Sequence, residues 1–188
     1  MDSILPPALP PASGVRLVWQ AGIETERLIL RPVSAACEAD WLALHQDPEV
    51  ARYVIGEAPT QADSWRDLAF VIGHAQLRGF STWAVYEKRE NSFIGRAGPW
   101  MPQGWPGLEI GWAFAAHGRG KGYATEAVVA ALRWSFKHLH AAVIIHSIQA
   151  DNVRSQKLAH RIGAQQLGTA EVHGAEHGIW VTQRAQYA

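Results

Sequence analysis

The sequence predicts a single α/β domain, of the α+β kind, with a mixed and mostly antiparallel sheet of about seven strands flanked by helices. The first reason is that two apolar runs, 108–114 and 142–148, enclose a helical repeat from Tyr123 to about His138. Such a strand–helix–strand unit implies a right-handed crossover between two parallel strands. The second is that the other strand-like runs are joined by short polar turns, which favours antiparallel neighbours.

The first 22 residues differ in composition from the rest of the chain. Four prolines, Pro6, Pro7, Pro10 and Pro11, fall within a short window, which favours an extended arm over a packed element. We therefore expect a proline-rich N-terminal arm over 1–22 and one domain over 23–188.

Strand and helix patterns follow one another along that domain. Residues 25–32 alternate as a first strand. Two helices come next, one over 35–50 with an interruption at Asp47-Pro48 and one over 60–77 that ends at Gly79. The later elements are hairpin strands at 80–86 and 93–98, a loop at 99–107, a helix at 153–162, and closing strands at 164–172 and 179–181.

Charge and cysteine content exclude several classes of function. Seventeen Lys and Arg residues balance seventeen Asp and Glu residues, so no bulk charge favours nucleic acid or an anionic membrane as a partner. The single cysteine, Cys37, excludes an intrachain disulfide framework and a multi-cysteine metal site. Neither a secretory signal nor an apolar run of about 20 residues is visible, so we expect a soluble, cytoplasmic protein without a metal.

A glycine-rich turn, Arg119-Gly120-Lys121-Gly122-Tyr123-Ala124, lies between the apolar run at 108–114 and the helix that follows. Glycine allows positive φ and a close approach of the backbone to a ligand. The first turn of a helix has unpaired N–H groups and the positive end of the helix dipole, so it attracts phosphate. The turn therefore predicts a phosphate-binding site, for which three classes of ligand compete.

Two of these classes fit the sequence poorly. A nucleotide-binding P-loop needs Ser or Thr directly after its lysine, and here Gly122 follows Lys121. A dinucleotide fingerprint lies in a first βαβ unit and has an acidic residue about 20 positions later. This turn lies past the middle of the chain, which disfavours that class.

The third class is coenzyme A. Residues 119–124 match the Arg/Gln-x-x-Gly-x-Gly/Ala signature of the GNAT acyltransferase superfamily. The extension to Ala127 resembles the RimJ/RimL-type branch, the ribosomal-protein N-terminal acetyltransferases. The resemblance covers about 24–183. Further stretches that resemble this branch, in the expected order, are 25–31, 109–112, 152–155 and 162–164.

The resemblance implies that the central parallel strands splay apart and admit acetyl-CoA as co-substrate. Backbone groups of 112–114 would bind its pantetheine arm, and those of 119–124 its pyrophosphate, with charge added by Arg119 or Lys121. The residues implied to bind acetyl-CoA are Trp112, Ala113, Phe114, Arg119, Gly120, Lys121, Gly122, Tyr123, Ala124 and Asn152.

The same resemblance implies direct transfer of the acetyl group to a primary amine, either a protein N-terminus or a small molecule. The amine must lose a proton and the leaving thiolate must gain one. Glu109 is our candidate general base, acting through a water, or else it only orients the substrate ammonium. Many family members have a tyrosine acid where this chain has Ala159. Ser155 becomes the candidate acid, with capping of its own helix as the alternative.

Other features of the sequence are left with two interpretations. A non-catalytic domain that binds or senses acyl-CoA is the alternative function. Similar proteins often form dimers, but the sequence gives no independent sign of a homodimer.

His173 and His177 have helical metal-ligand spacing on a predicted turn, so we expect surface histidines. Tryptophans that belong either to the core or to an acceptor pocket are Trp41, Trp65, Trp100 and Trp105.

Overall fold

A computed structural model describes residues 14–56, 58–172 and 174–187. Its strands are β1 (Ile23–Glu24), β2 (Leu28–Pro32), β3 (Trp83–Glu87), β4 (Ser92–Trp100), β5 (Glu109–Phe114), β6 (Val143–Gln149), β7 (Gln165–Val172) and β8 (Ala175–Gln183). They form one sheet in the order β1-β2-β3-β4-β5-β6-β8-β7. Only the β5–β6 pair is parallel, which confirms the predicted mixed, mostly antiparallel sheet.

Six helices accompany this sheet in the described residues. They are α1 (Val15–Gln20), α2 (Glu38–Gln46), α3 (Pro48–Val54), α4 (Gln61–Arg78), α5 (Tyr123–His138) and α6 (Val153–Arg161). The Asp47 side chain accepts from the Glu49 N–H and so starts α3 directly after α2. A capping box between Thr60 and Asp63 starts α4, and Gly79, with φ of 78°, ends it. These signals are local, and the predicted helices are confirmed.

Different helices cover the two faces of the sheet. Side chains of α2, α3 and α4 pack with alternate strand residues such as Ala84 and Ala113. Side chains of α1, α5 and α6 pack with the intervening strand residues, such as Val85 and Phe114. Successive strand residues lie on opposite faces, so the α2–α4 face and the α5 face are distinct. The Glu109 side chain belongs to the α2–α4 face, because it lies four residues from Ala113.

The segment before β1 differs from the extended conformation that we expected. Residues 15–20 are helical, and Val15 and Trp19, one turn apart, are buried in the core. Trp19 Nε1 donates to the Ser81 carbonyl at 2.6 Å, and Trp83 Nε1 donates to the Trp19 carbonyl at 3.2 Å. Burial of a tryptophan outweighs the flanking composition here. The four prolines lie outside the described residues.

Two strand boundaries also differ from the predicted ones. β4 continues through Pro99 to Trp100, although that segment was expected to be a loop. β3 pairs with β4 only as far as Ala97, so the missing N–H of Pro99 costs no ladder hydrogen bond on that side. β8 begins at Ala175, and His177 therefore lies in a strand instead of a turn.

Candidate active site

The two central parallel strands separate shortly after they meet. β5 and β6 pair at one register position, Glu109 with Ile145, and the Ile145 N–H donates to the Leu108 carbonyl at 2.9 Å. From Gly111 onward, β5 pairs with β4 on one side and, within the described residues, with no strand on the other. The predicted splay of the parallel pair is confirmed, and it leaves an opening between β5 and β6.

A buried histidine bridges the base of this opening. His146 Nδ1 lies 2.9 Å from the Ile110 carbonyl oxygen, and its Nε2 lies 2.9 Å from Thr182 Oγ1. Because a carbonyl oxygen only accepts, the proton is on Nδ1 and Nε2 accepts from the hydroxyl. Burial lowers the pKa of His146 to about 4, so the ring is neutral near pH 7 and acts as a fixed spacer.

Glycine is required at two positions of the turn before α5. Gly120 has φ of 77° and Gly122 has φ of 81°, a left-handed conformation that other residues adopt at a cost. Gly122 is the N-cap of α5 and has no side chain that could cap the first turn. The N–H groups of that turn are therefore available to a phosphate, and the turn fits the pyrophosphate of coenzyme A.

Side chains from the segment before β2 hold this turn in place. Glu126, in the first turn of α5, accepts from Thr25 Oγ1 at 2.6 Å and from the Arg27 backbone N–H and Nε at 2.9 and 2.7 Å. Arg27 Nη1 donates to the Lys121 carbonyl at 2.9 Å, and its guanidinium lies 4.8 Å from the centre of the Tyr123 ring. The side chains of Glu126 and Tyr123 therefore make intramolecular contacts with the segment before β2.

The two cations expected near the pyrophosphate differ in their surroundings. Arg119 Nη2 donates to Asp47 at 2.5 Å. Its Nη1 donates to Glu49, which also accepts from Arg154. Arg119 thus joins the turn to α3 and α6, whereas the Lys121 side chain is exposed. Of the two, the geometry favours Lys121 as the charge that a phosphate would meet first.

The residues expected to contact the pantetheine arm lie along the free side of β5. Trp112 is half-buried, and Ala113 and Phe114 are buried. The Phe114 carbonyl already accepts from Arg119 Nε at 2.8 Å. Ala124, in the first turn of α5, packs against the core. The structure therefore brings the strand and the helix start together at one end of the opening.

Glu109 is a buried carboxylate at the base of the opening. It is 7% exposed, and its Oε2 accepts from Trp105 Nε1 at 2.6 Å. Ser147 Oγ lies 3.0 Å from both carboxylate oxygens. Burial raises the pKa of Glu109, and the hydrogen bonds from Trp105 and Ser147 offset part of that rise. A carboxylate with a raised pKa is a stronger base near neutral pH than an exposed one.

A histidine that we expected at the surface lies close to this carboxylate. His177 is buried, and it faces Gln149 across the β6–β8 pair. Its Nδ1 lies 3.0 Å from the Ala175 carbonyl oxygen. Burial dominates the raised pKa of Glu109, and the nearby His177 counteracts it. The prediction of a surface position for His177 is wrong because β8 is longer than its apolar core; His173 lies outside the described residues.

Ser155 takes part in a contact that its sequence position did not indicate. Asn152 Oδ1 accepts from the Ser155 N–H at 3.1 Å, so Asn152 caps α6. Ser155 Oγ instead accepts from Trp112 Nε1 at 3.2 Å. No described residue accepts the Ser155 hydroxyl proton. The alternative role, in which the Ser155 side chain caps its own helix, is not observed, and the hydroxyl proton of Ser155 is available to a ligand.

The remaining tryptophans and the cysteine divide between core and surface. Trp41 is fully buried, and its Nε1 donates to Asp67 at 3.0 Å. Trp65 is 52% exposed on α4, and Trp100 is half-buried. Cys37 is buried, and burial raises the pKa of its thiol, which disfavours it as a nucleophile. Of the four expected pocket tryptophans, Trp105 donates a hydrogen bond to Glu109, and Trp100 is the cross-strand partner of Glu109.

His74 supports the loop that carries Trp105. Its Nε2 accepts from the Met101 N–H at 3.1 Å, and its Nδ1 lies 3.2 Å from Ser81 Oγ.

Over residues 14–56, 58–172 and 174–187, no group of three or more His, Cys, Asp or Glu side chains could hold a metal ion. In the same ranges, no helix is long and apolar enough to cross a membrane.

Comparison with known proteins identifies the family. Residues 27–165 match the family described as an acetyltransferase (GNAT) domain. The chain belongs to the GNAT acetyltransferase family. A similar protein is the "uncharacterized N-acetyltransferase YnaD" of Bacillus subtilis, 30% identical over 149 residues that span 78% of this chain and 84% of that protein. This result confirms the resemblance that the glycine-rich turn indicated.

Solved structures share the fold. An acetyltransferase from Agrobacterium tumefaciens superposes with a TM-score of 0.77 at 24% identity, over 86% of this chain and 94% of that one. RimJ of Mycobacterium smegmatis, in complex with CoA-disulfide, superposes with a TM-score of 0.67 at 19% identity, over 89% of this chain and 85% of that one. These superpositions establish that the chain has the GNAT fold. The GNAT family transfers acyl groups from acetyl-CoA.

Proposed function

We propose that this protein transfers the acetyl group of acetyl-CoA directly to a primary amine. The observation that carries the proposal is the buried carboxylate of Glu109 at the base of the β5–β6 opening. Its raised pKa suits a group that must take a proton from an amine near neutral pH. The acceptor is either a protein N-terminus or a small molecule.

Acetyl-CoA would supply an activated acyl thioester, and two parts of the chain would hold it. The N–H groups of the turn from Arg119 to Ala124 would bind the pyrophosphate, since the left-handed glycines leave that backbone open. Along the edge of β5 that faces β6, the backbone groups of 112–114 pair with no strand of the described residues, as the addition of a ligand strand requires. Asn152 retains its amide Nδ2 as a donor, because its Oδ1 caps α6.

The proton transfers are assigned to Glu109 and Ser155. Glu109 would accept the proton of the amine through a water, because its carboxylate is hydrogen-bonded by Trp105 and Ser147 and nearly shielded from solvent. Ser155 would donate to the leaving sulfur, since its hydroxyl accepts from Trp112 and keeps its own proton free. Ala159, where other members of the family have a tyrosine acid, is fully buried in the core.

The alternative is a domain that binds acyl-CoA without turning it over. It rests on the same turn but assigns no role to Glu109 or Ser155. The hydrogen bonds from Trp105 and Ser147 to Glu109 hold an ionisable group where burial disfavours its charged form. That cost is easier to explain by catalysis than by binding alone.

Thermal stabilisation by acetyl-CoA, followed by a screen of amines and peptides for thiol release, tests the proposal. We expect stabilisation by acetyl-CoA but not by ATP, and thiol release with at least one amine. Stabilisation without thiol release from any acceptor would favour the sensor function. Stabilisation by ATP alone would contradict both.

A further inference from the structure

Arg96 is a charged residue on the α2–α4 face of the sheet without a protein counter-ion. It lies on β4 opposite Ala113 of β5, and it is half-buried. In the part of the chain that the structure describes, its guanidinium makes neither an ion pair nor a hydrogen bond. Its Nε is fully buried without a partner. A buried N–H donor normally finds an acceptor, so the unpaired Nε of Arg96 is unusual.

The surroundings fix Arg96 without neutralising it. Its guanidinium carbon lies 5.2 Å from the centre of the Trp41 ring, an arrangement that orients the cation but leaves its N–H donors unused. Asp67, an acidic side chain of α4, accepts from Trp41 Nε1 at 3.0 Å and lies 3.5 Å from His45. Burial and the charge of Arg96 lower the pKa of His45 to about 4, so His45 adds no positive charge near pH 7.

Arg96 and Glu109 belong to one continuous strip of the sheet. Glu109 and Ala113 are four residues apart on β5, which is about 13 Å at the rise of a strand. The paired residues between them, Gly98 and Gly111, carry no side chain. Chain neighbours aside, a Cβ added at Gly111 would meet only Glu109 Oε1, at 3.9 Å. The strip therefore has a carboxylate at one end, a cation at the other, and open space above Gly111 between them. The space around Gly98 is filled, since a Cβ there would lie 2.8 Å from Thr82.

We propose that Arg96 is an anion subsite for the acceptor, which is a primary amine that also carries a carboxylate. This inference rests on the proposed transfer to an amine, and it names the class of acceptor. The amine lies at the Glu109 end of the strip, where its proton is removed. The carboxylate lies at the Arg96 end, where a planar guanidinium can bind it through two parallel hydrogen bonds.

The subsite discriminates between acceptors by the cost of leaving Arg96 unpaired. A carboxylate supplies the hydrogen-bond acceptors that the half-buried guanidinium lacks among the described residues, whereas the corresponding carboxamide offers one neutral oxygen. Hydrogen bonds to charged groups change affinity by about tenfold to a hundredfold. Free amino acids and peptides with an acidic residue near the N-terminus share this chemistry, and the acceptor panel separates them.

The test compares matched pairs of acceptors in a thiol-release assay. The pairs are β-alanine with its amide, 4-aminobutyrate with its amide, 6-aminohexanoate with its amide, and the dipeptide amide Gly-Glu with Gly-Gln. We expect the carboxylate of at least one pair to have a kcat/KM about tenfold to a hundredfold higher than its amide. Because each ratio is compared between variants, differences in amine basicity within a pair cancel.

Three variants locate the effect. Arg96→Gln removes the charge and should bring the ratio of carboxylate to amide close to one, with turnover of the amides retained. Arg96→Lys keeps the charge but not the paired donors, so it should restore part of the ratio. Arg31→Gln is the matched control, because Arg31 also stacks on an aromatic ring, Tyr86 at 4.5 Å, and it should leave the ratio unchanged.

A structural role for Arg96 predicts a different pattern. In that case Arg96→Gln lowers the turnover of both members of each pair equally, and the inference is overturned. Equal ratios in the wild type and Arg96→Gln overturn it as well. If acetyl-CoA is consumed at the same rate with carboxylates and amides, only this inference fails. If no amine is acetylated, the proposed function fails.

A second measurement does not depend on turnover. Glutarate carries the carboxylate without the amine, and glutaramide is its neutral match. We expect glutarate, in the presence of coenzyme A, to raise the melting temperature of the wild type more than glutaramide does, and to lose that advantage in Arg96→Gln. The same shift in both proteins would contradict an anion subsite at Arg96.

Discussion

The two sides of the β5–β6 opening are built in different ways. On the donor side, one contiguous segment, from Trp112 to Ala127, supplies the end of the strand, the glycine turn and the helix start. On the acceptor side, groups from separate elements converge: Trp105 precedes β5, Ser147 is on β6 and Arg96 is on β4. The donor side binds a constant ligand with backbone atoms. The acceptor side presents side chains, which vary more readily with the substrate.

The largest predicted effect separates the two sides through Glu109. Glu109→Gln keeps the shape and an acceptor for Trp105 Nε1 but removes the base, so kcat/KM should fall about 10²- to 10⁴-fold. Stabilisation by acetyl-CoA should remain, since the donor side is untouched. Glu24→Gln, on the exposed β1, is the control. Full activity of Glu109→Gln would show that Glu109 is not the general base.

The converse change disables the donor side alone. Gly122→Asp forces a non-glycine residue into φ of 81° and places a negative charge at the N-terminus of α5, where a phosphate is expected. We expect the stabilisation by acetyl-CoA to be lost and affinity to fall about tenfold or more. Gly174→Asp, at φ of 76° in open space, controls for backbone strain. An unchanged shift in Gly122→Asp would refute the phosphate site.

Ser155 gives a smaller effect at the junction of the two sides. Ser155→Ala removes the hydroxyl that accepts from Trp112 Nε1. We expect kcat to fall about tenfold, less than for Glu109, because a thiolate can leave without full protonation. Steady-state kinetics with varied acetyl-CoA measure kcat and KM separately. If only the KM for acetyl-CoA changed, Ser155 would be a binding residue.

The smallest effect concerns Trp105 and is a shift in pH. Its indole N–H donates to the charged form of Glu109 at 2.6 Å, so Trp105→Phe removes a group that favours the carboxylate. The pKa of Glu109 should rise further, and the acidic limb of kcat/KM should move to higher pH. An unmoved limb would show that Trp105 only fills space.

The donor side was largely predictable from the sequence because its signals are local. The glycines at 120 and 122, the start of α5 and the cap at Asn152 depend on neighbours within a few residues. The contacts that the sequence did not predict join residues that are far apart along the chain. Arg119 meets Asp47, which is 72 residues away, and Ser147 meets Glu109, which is 38 residues away. No local pattern indicates either pair.

The acceptor side was predicted only in part for the same physical reason. Glu109 was expected, but its hydrogen bonds depend on how the loop at 101–108 folds back over the sheet. His177 appeared to lie in a turn because the apolar part of β8 is shorter than its hydrogen-bonded part. Arg96 carried no signal, since an arginine in an alternating strand is ordinarily solvent-exposed. Its burial against Trp41 requires the position of α2.

The pH dependence of kcat/KM, measured on the wild type and on Glu109→Gln with one acceptor, tests the central assignment most directly. The titration of the acceptor amine is common to both proteins, so the difference between the profiles isolates the carboxyl group. Burial raises the pKa of Glu109, and the base form exists only above it. We therefore expect an acidic limb above the ordinary range of a glutamate, near 4.3, in the wild type and none in Glu109→Gln. The same limb in both proteins would contradict Glu109 as the base.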